Sequence, residues 1–510
     1  MEESKIDTWQ VEKAEIQSVG PSNLDYDAQR LHDLGYKQEF KREISLFVQA
    51  GFSFTTMAVL PNWLVNFGTS IGAGGPSSMF WGWIVVFPFV TCIALSMAEI
   101  VSAYPLAGGM YSWSFLLSSK QWGPFMAWIN GYAYLIGLVT ANITLAWTSA
   151  EFIFNVANVL NVKQIDSQGA TIGLYCGIII VATLYNLLGM KFSGYLNKFL
   201  VFWIGIGSII VICTVPAMAP SHKSASWVFT EFTNTTGYKN NGLAFLLGLL
   251  QAGWTLVGYE CGIQIVEGTK RADVTAPRGI LICIASAIFQ GFMLILSTLF
   301  SIQDMEELVG SSSPLVTFFL RATNSSLTAF FLIILLVTQF ASLCNSILAT
   351  SHIFWAMARD GCLPFSKYLY KLGSNDIPTR CLFLQLVISI IIMMPTFGSI
   401  VYWEAIMSAS VICINVSYGI PFLCRLIWTR DSLPKGPFSL GRFSLAINTI
   451  SVAWVCFFAV ILCIPSVSPV APDTMNWASV MIVGIMGFSI VFWVTNGRKY
   501  YKGPHHTTEE

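Results

Sequence analysis

Read for runs of apolar residues, the 510-residue chain divides into long greasy stretches joined by short polar connections. A transmembrane helix needs about 20 mostly apolar residues. Twelve such stretches lie near residues 44–68, 80–103, 122–151, 170–189, 199–217, 242–267, 279–301, 328–356, 382–398, 403–424, 443–465 and 477–496. The pattern predicts an all-α integral membrane protein with twelve transmembrane helices. A tail over residues 1–43 precedes this 44–496 domain and another, 497–510, follows it. No short tandem repeat is visible, which excludes solenoids and propellers.

Two stretches are not uniform. The first contains "AGFSFTTMAVLP", residues 50–61, where a glycine and a run of Ser and Thr interrupt the apolar pattern. The sixth contains "GLLQAGWTLVGYE", residues 248–260, in which Gly253 and Gly258 precede a carboxylic acid, Glu260. Spans one and six open the two halves of a five-plus-five arrangement, and paired interruptions at equivalent places point to inverted repeats around a midplane site. Backbone groups freed by unwinding cannot stay unpaired in lipid, so a broken helix implies a cavity, water or protein to pair them. Half-helix N-termini suit an anionic group and freed carbonyls suit a cation, so such a site could read a zwitterion or amine at both poles. Against this stands the commoner use of glycine in membrane helices, which is close packing.

Composition agrees with a membrane protein, since 55% of residues are hydrophobic and 11% are charged. The formal net charge is zero, so the distribution of basic residues among loops is the informative quantity. With the N-terminus cytoplasmic, inward segments hold 23 of the 27 Lys and Arg. Both termini are therefore expected in the cytoplasm; as a separate expectation, the membrane is the plasma membrane rather than a vacuolar one. Two sequons, Asn234-Thr235-Thr236 and Asn324-Ser325-Ser326, then fall in outward loops. No signal peptide is visible, and the first span is expected to direct insertion. The twelve Cys are scattered without CxxC or metal-type spacing and read as small apolar packing residues. Residues 31–43, "LHDLGYKQEFKRE", mix apolar and charged positions and read as an interfacial helix or basic membrane anchor, with a gate contact through Arg42 as the alternative.

Several motifs resemble one family. "AEIVSAYPLAGGMYSW" (98–113) is similar to the second-span signature of the amino acid, polyamine and organocation superfamily, in its amino acid/choline branch of fungal and plant permeases. "LGYKQEFKRE" (34–43), "AGWTLVGYE" (252–260), "APRGI" (276–280), "ARDGCLP" (358–364), "SYGIP" (417–421), "GPFSLGR" (436–442) and "MNW" (475–477) match in the same order. The resemblance implies a LeuT-type fold: a 5+5 inverted repeat with helices 1 and 6 broken, plus two peripheral helices. It implies secondary active transport, usually proton-coupled symport, of 4-aminobutyrate (GABA), choline, polyamines or amino acids.

By the same resemblance, substrate sits between the broken parts of spans one and six. The candidates are Gly51, Ser53, Thr55 and Thr56 in the first, and Trp254, Thr255, Gly258, Tyr259 and Glu260 in the second. Trp254 offers a cation–π face or a lid, or else core packing. Glu260, in mid-membrane, could hold an amine, carry the coupled proton, or pair with loosened backbone N–H groups to stabilise the break. Glu99 reads as part of a helix stop, with proton coupling or gating as the alternative. Glu151 reads as interfacial, or as a draw for cations in an outer vestibule. Lys198 is explained by the basic inner bias. Arg359 is expected at the inner surface and His352 in a hydrogen-bonded packing role. Where relatives have Asp at 260 or Arg at 352, this chain differs.

No cofactor, metal or nucleic acid is expected. The partners are a small amine or amino acid, protons and the lipid bilayer. An intramembrane enzyme would need a nucleophile with a base or clustered metal ligands, and neither pattern is present. A channel would show a ring or filter of ligands. A transport-deficient nutrient receptor would share every motif and differ only in flux.

Overall fold

A computed structural model describes residues 26–504, apart from 37, 162–166, 374–376, 399–400 and 472–474. These residues form helices, with two isolated β-bridges pairing Ile44 with Thr269 and Ala73 with Asn234. Helices dominate because hydrocarbon offers backbone N–H and C=O groups no partner, so each span must satisfy its own. The labelled helices are α1 (Tyr26–Asp33), α2 (Leu46–Met57), α3 (Val59–Val65), α4 (Phe67–Gly72), α5 (Gly75–Ala103), α6 (Met110–Leu116), α7 (Gly123–Val159), α8 (Gln168–Asn186) and α9 (Met190–Met218). They continue with α10 (Asn241–Thr255), α11 (Ala272–Phe300), α12 (Ser325–Arg359), α13 (Thr379–Met393), α14 (Val401–Trp428), α15 (Ser444–Leu462) and α16 (Ala478–Phe492). Shorter helices are given by range.

Eleven helical segments among the described residues are long and apolar enough to cross a membrane. The expected span over 44–68 is not one of them, because it is divided into α2, α3 and α4, of 12, 7 and 6 residues. The longest, α7, has 37 residues and runs about 55 Å at 1.5 Å per residue, well beyond the hydrocarbon thickness. It lies at the centre of the bundle, packed chiefly against α12 and α14. Its buried hydroxyls bond backward within the helix: Thr140 to Ile136 O, Thr144 to Thr140 O and Thr148 to Thr144 O, at 2.7–3.0 Å. That local pairing lets polar residues sit in a dry core.

The first break is at a single residue. Helix α2 runs intact through Gly51 to Met57, and Ala58 then takes a left-handed conformation with φ 42° and ψ 55°. Such geometry costs a non-glycine residue roughly 1–2 kcal/mol, so surrounding structure must impose it. The interruption expected at Gly51 and the Ser/Thr run is thus displaced to Ala58. Gly51 is a packing glycine, since an added Cβ would lie 2.8 Å from Val201 Cγ2.

The second break has the same correction. Helix α10 passes straight through Gly253, where a Cβ would lie 2.1 Å from the Phe458 ring, and ends at Thr255. Gly258 supplies the turn with φ 107°, and a ten-residue 3-10 helix follows over Tyr259–Gly268. Runs of that geometry rarely exceed four residues, and a longer one marks a constrained segment.

The N-terminal segment is a strap on the bundle, not a membrane anchor. Leu31, Tyr36 and Phe40 are each 3% exposed or less within protein. The ring of Phe40 lies 4.9 Å from Trp355 and 5.2 Å from His352. Arg42 donates to Thr269 O (3.0 Å) and Asp27 O (3.1 Å), and Arg30 donates to Ser102 O (3.1 Å). Asp27 accepts from Arg271 N at 2.8 Å. At the other end, Tyr501 is buried and its hydroxyl bonds that of Tyr111 at 2.7 Å.

Helix packing here depends on missing side chains. At Gly291 a Cβ would lie 2.2 Å from Trp83 Cζ2, whereas Gly177 has nothing within 4 Å. Gly291→Ala is expected to destabilise the protein by about 1–3 kcal/mol through overpacking, read as a lower melting temperature in detergent, while Gly177→Ala melts at or above the parent.

Candidate functional site

The two breaks face each other. A Cβ built on Gly258 would lie 3.4 Å from Met57 Cα, Met57 N and the Thr56 carbonyl carbon. Glycine is required there by its positive φ and keeps the two backbones in close approach.

The groups released by the breaks find nearby partners. Asn62 Nδ2 donates to Met57 O (2.7 Å), and Ser342 Oγ donates to Thr56 O (2.6 Å). Gln49 Nε2 donates to Gly262 O at 2.6 Å, and Gln251 Nε2 donates to Trp63 O at 2.8 Å. With its amide turned to suit its neighbours, Gln264 donates to Glu260 O and Cys261 O and accepts from the Tyr134 hydroxyl, all at 2.9–3.0 Å. Glu260 Oε2 accepts from Gly258 N at 3.0 Å. Buried side chains thus replace the missing helical partners.

A cavity of about 40 Å³ lies at this junction, room for about three water molecules by their probe volume. Thr56, Asn62, Trp254, Val257, Gly258, Glu260 and Cys261 line it from the broken segments. Leu138, Ala141 and Leu145 come from α7, Ser346 from α12, and Ser410, Val411 and Ile414 from α14. Of the nine residues expected from sequence, Thr56, Trp254, Gly258 and Glu260 are here. The other five are placed around it. Gly51 packs on Val201, Ser53 meets Gly262, and Thr255 Oγ1 bonds Gln251 O at 2.6 Å. Thr55 Oγ1 and the Tyr259 hydroxyl are buried without a hydrogen-bond partner among the described residues, and the Tyr259 ring lies 6.0 Å from Tyr418.

Sequence reasoning missed the walls from α7, α12 and α14. Ser346 and Ser410 carried a signal as polar residues within apolar spans. Leu138, Ala141 and Leu145 carried none, because apolar residues at helical spacing look alike whether they face a core or a cavity.

The carboxylates differ sharply in company. Glu260 is 0% exposed, and beyond Gly258 N it has the Cys261 thiol at 3.9 Å and the Tyr418 hydroxyl beside it. No Lys or Arg pairs with it among the described residues. Glu99 is compensated on every side: Arg425 Nη1 at 2.8 Å, Ser444 Oγ at 2.5 Å, Leu440 N at 3.0 Å and Ser439 Oγ at 3.2 Å. It ties α5 to α14 and to the start of α15. Glu151 accepts from Trp147 Nε1 at 2.8 Å, and Trp147 stacks on Trp403 at 5.2 Å.

Three further expectations change or settle. Arg359 is not at the surface: its side chain is 1% exposed and pairs with Glu267 at 3.3 Å and Asp360 at 3.5 Å. Its guanidinium also lies over the rings of Tyr36 and Trp355, at 4.4 and 4.8 Å. His352 is buried but not hydrogen-bonded, neither ring nitrogen having a partner among the described residues. Lys198 lies over the Tyr195 ring at 5.4 Å. Outside the spans, burial pushes the Tyr36 phenol well above its ordinary range, which keeps it neutral beside Glu267 and Arg359.

A bundle of helices long and apolar enough to cross a membrane, around a cavity lined by two broken segments and a buried carboxylate, has the form of a membrane transporter. The family model for amino acid permeases matches residues 44–488, and the chain belongs to that family, within the amino acid, polyamine and organocation superfamily. It is 31% identical over 492 residues to the rice (Oryza sativa subsp. japonica) amino-acid permease BAT1 homolog, covering 93% of this chain and 95% of that protein. Identity to amino-acid permease BAT1 of Arabidopsis thaliana is 29% over 507 residues, covering 94% and 96%. Amino-acid permease 2 of Neurospora crassa is 28% identical over 499 residues, covering 96% and 92%.

Removing one member of a buried ion pair costs about 3–5 kcal/mol, because the other is left uncompensated. Arg425→Met is therefore expected to lower the melting temperature in detergent markedly, and Glu99→Gln combined with Arg425→Met is expected to regain most of the loss.

Proposed function

We propose that the protein is a secondary active transporter that couples uptake of a small amine or amino acid to protons. The observation that carries this reading is the meeting of two chain breaks at one cavity lined by a fully buried carboxylate that has no counter-ion among the described residues. Relatives named as amino-acid permeases support an amino acid, and 4-aminobutyrate, choline and polyamines are the further candidates of the wider superfamily. The arrangement fits a LeuT-type architecture, in which the α2–α3 segment is the first of twelve spans and α10 with the following 3-10 helix is the sixth. Ten core spans then form two inverted repeats, with two peripheral spans completing the 44–496 domain.

Thr56, Trp254, Gly258 and Glu260 hold the solute in this reading, while Gly51, Ser53, Thr55, Thr255 and Tyr259 shape the segments behind them. Glu260 carries the coupled proton or meets the substrate ammonium, since no cation among the described residues neutralises it. Glu99, already satisfied by Arg425 and Ser444, serves as a structural tie. The distribution of 23 of 27 basic residues supports cytoplasmic termini, which puts the strap of residues 26–44 on the inner face, in a plasma membrane.

Reconstituted in vesicles, the protein is expected to accumulate at least one of labelled alanine, 4-aminobutyrate, choline, lysine or spermidine when the outside is acid. A protonophore is expected to abolish accumulation. Glu260→Gln is expected to remove the dependence on the pH gradient, with either total loss or residual facilitated flux. Absence of flux for every compound, from well-folded protein, would favour the receptor reading instead.

A further inference from the structure

We propose that Gln339 is a positioning residue that closes the cavity on the face away from the N-terminal strap, by tying the broken first span to the α7–α12 pair. This role rests on the carrier reading above and concerns access to the cavity, not the choice of solute.

The cavity takes Asn62 from α3, Leu145 from α7 and Ser346 from α12. Thr148 lies one turn beyond Leu145 on α7, and Gln339 lies two turns before Ser346 on α12. Along α12 the order is Gln339, the cavity residue Ser346, and then His352 and Trp355 beside Phe40 of the strap. Gln339 and the strap are therefore on opposite sides of the cavity. Gln339 Nε2 donates to Thr148 Oγ1 at 2.8 Å and to Asn62 Oδ1 at 3.4 Å. All three residues are buried.

These two bonds do different work. Helices α7 and α12 pack along each other at the centre of the bundle, so the short bond to Thr148 holds the amide in place. The longer bond crosses to α3, a seven-residue helix whose Asn62 also holds Met57 O at the first break. One turn from Gln339 on the same helix, Ser342 donates to Thr56 O at 2.6 Å. Helix α12 thus grips the broken span on both sides of Ala58. Moving α3 away from α12 costs the long bond to Asn62. Gln339 Oε1, however, is buried with no hydrogen-bond partner among the described residues, and water entering an opened layer would meet it. Hydration of that unmet acceptor offsets the lost bond, which makes the closure readily reversible.

Cys261 lines the cavity and reports on access to it. Full-length protein in sealed vesicles, with an N-terminal epitope tag to show which face is out, is treated from each face with a membrane-impermeant charged thiol reagent. Labelling that disappears in Cys261→Ser is the quantity compared. Gln339→Leu is expected to raise it about five-fold or more from the face opposite the strap, the weight of about one net hydrogen bond, and to leave it unchanged from the strap face. Thr148→Val, which keeps the shape of the side chain and removes the acceptor that holds Gln339, is expected to act in the same direction and decides the matter where Gln339→Leu does not fold. Folded variants that label as the parent does overturn the closure, and so does an equal rise from both faces, which would mark general loosening. Uptake of the five compounds named above, measured on the same vesicles, keeps the two readings apart. A rise confined to the face opposite the strap, in protein that transports none of them, overturns the carrier reading and leaves Gln339 as the closure. Uptake with unchanged labelling in the variants overturns the role of Gln339 alone.

Discussion

The structure depends on one rule: a peptide group freed inside a membrane must be paired by something other than water. An unbroken helix obeys it without help. At Ala58 and at Val257–Gly258 the helical ladder stops, and the sequence supplies substitutes from other segments. Asn62 reaches Met57 O, Ser342 reaches Thr56 O, and Glu260 reaches Gly258 N. Removing such a partner leaves a buried group with its full desolvation penalty, about 1–3 kcal/mol. The polar residues of α2, α10 and α12 are thus explained first as structural necessities of two breaks, and only then as candidates for recognition.

The same accounting separates the buried charges. Glu99 with Arg425, and Glu267 with Arg359, are opposite charges in contact with additional donors. Such pairs can hold helices in register without bearing on a solute. Glu260 has no counter-ion among the described residues, although an isolated ionised carboxylate is what a low-dielectric interior tolerates least. A proton or a substrate ammonium would neutralise it, which is why the proposed coupling is assigned to this group and not to Glu99.

Much of the fold was legible because hydrophobic length is a coarse and strong signal. Eleven of the expected spans correspond to helices or helical segments, and the remaining one, 44–68, is divided into α2, α3 and α4. The position of each break was less legible. Gly51 and Gly253 advertised an interruption yet serve close packing on Val201 and Phe458, while the first break falls at an alanine whose left-handed geometry no local pattern announces. The site was half visible: Thr56, Trp254, Gly258 and Glu260 lie on the elements that looked unusual, whereas Leu138, Ala141, Val411 and Ile414 lie on helices that looked ordinary. The N-terminal strap was misjudged because alternating apolar and basic residues suit a lipid interface and a protein groove equally well. Its buried Leu31, Tyr36 and Phe40 show that protein won.

That strap also sets what any opening on its face has to overcome. Arg30 caps the carbonyls at the end of α5, Arg42 holds Thr269 O after the 3-10 helix, and Asp27 holds the N–H of Arg271 at the start of α11. Cations at helix C-termini and a carboxylate at a helix N-terminus each complement the local dipole, so three elements beside the broken segments share one clasp. Each such bond contributes about 0.5–1.5 kcal/mol net, more where a charge takes part. A clasp of several weak contacts is strong enough to favour one arrangement. In the proposed carrier such a clasp yields only to a ligand whose affinity differs enough between two states, because a ligand shifts an equilibrium by no more than that difference. Were the same face locked by a continuous apolar core, no small solute could supply the difference.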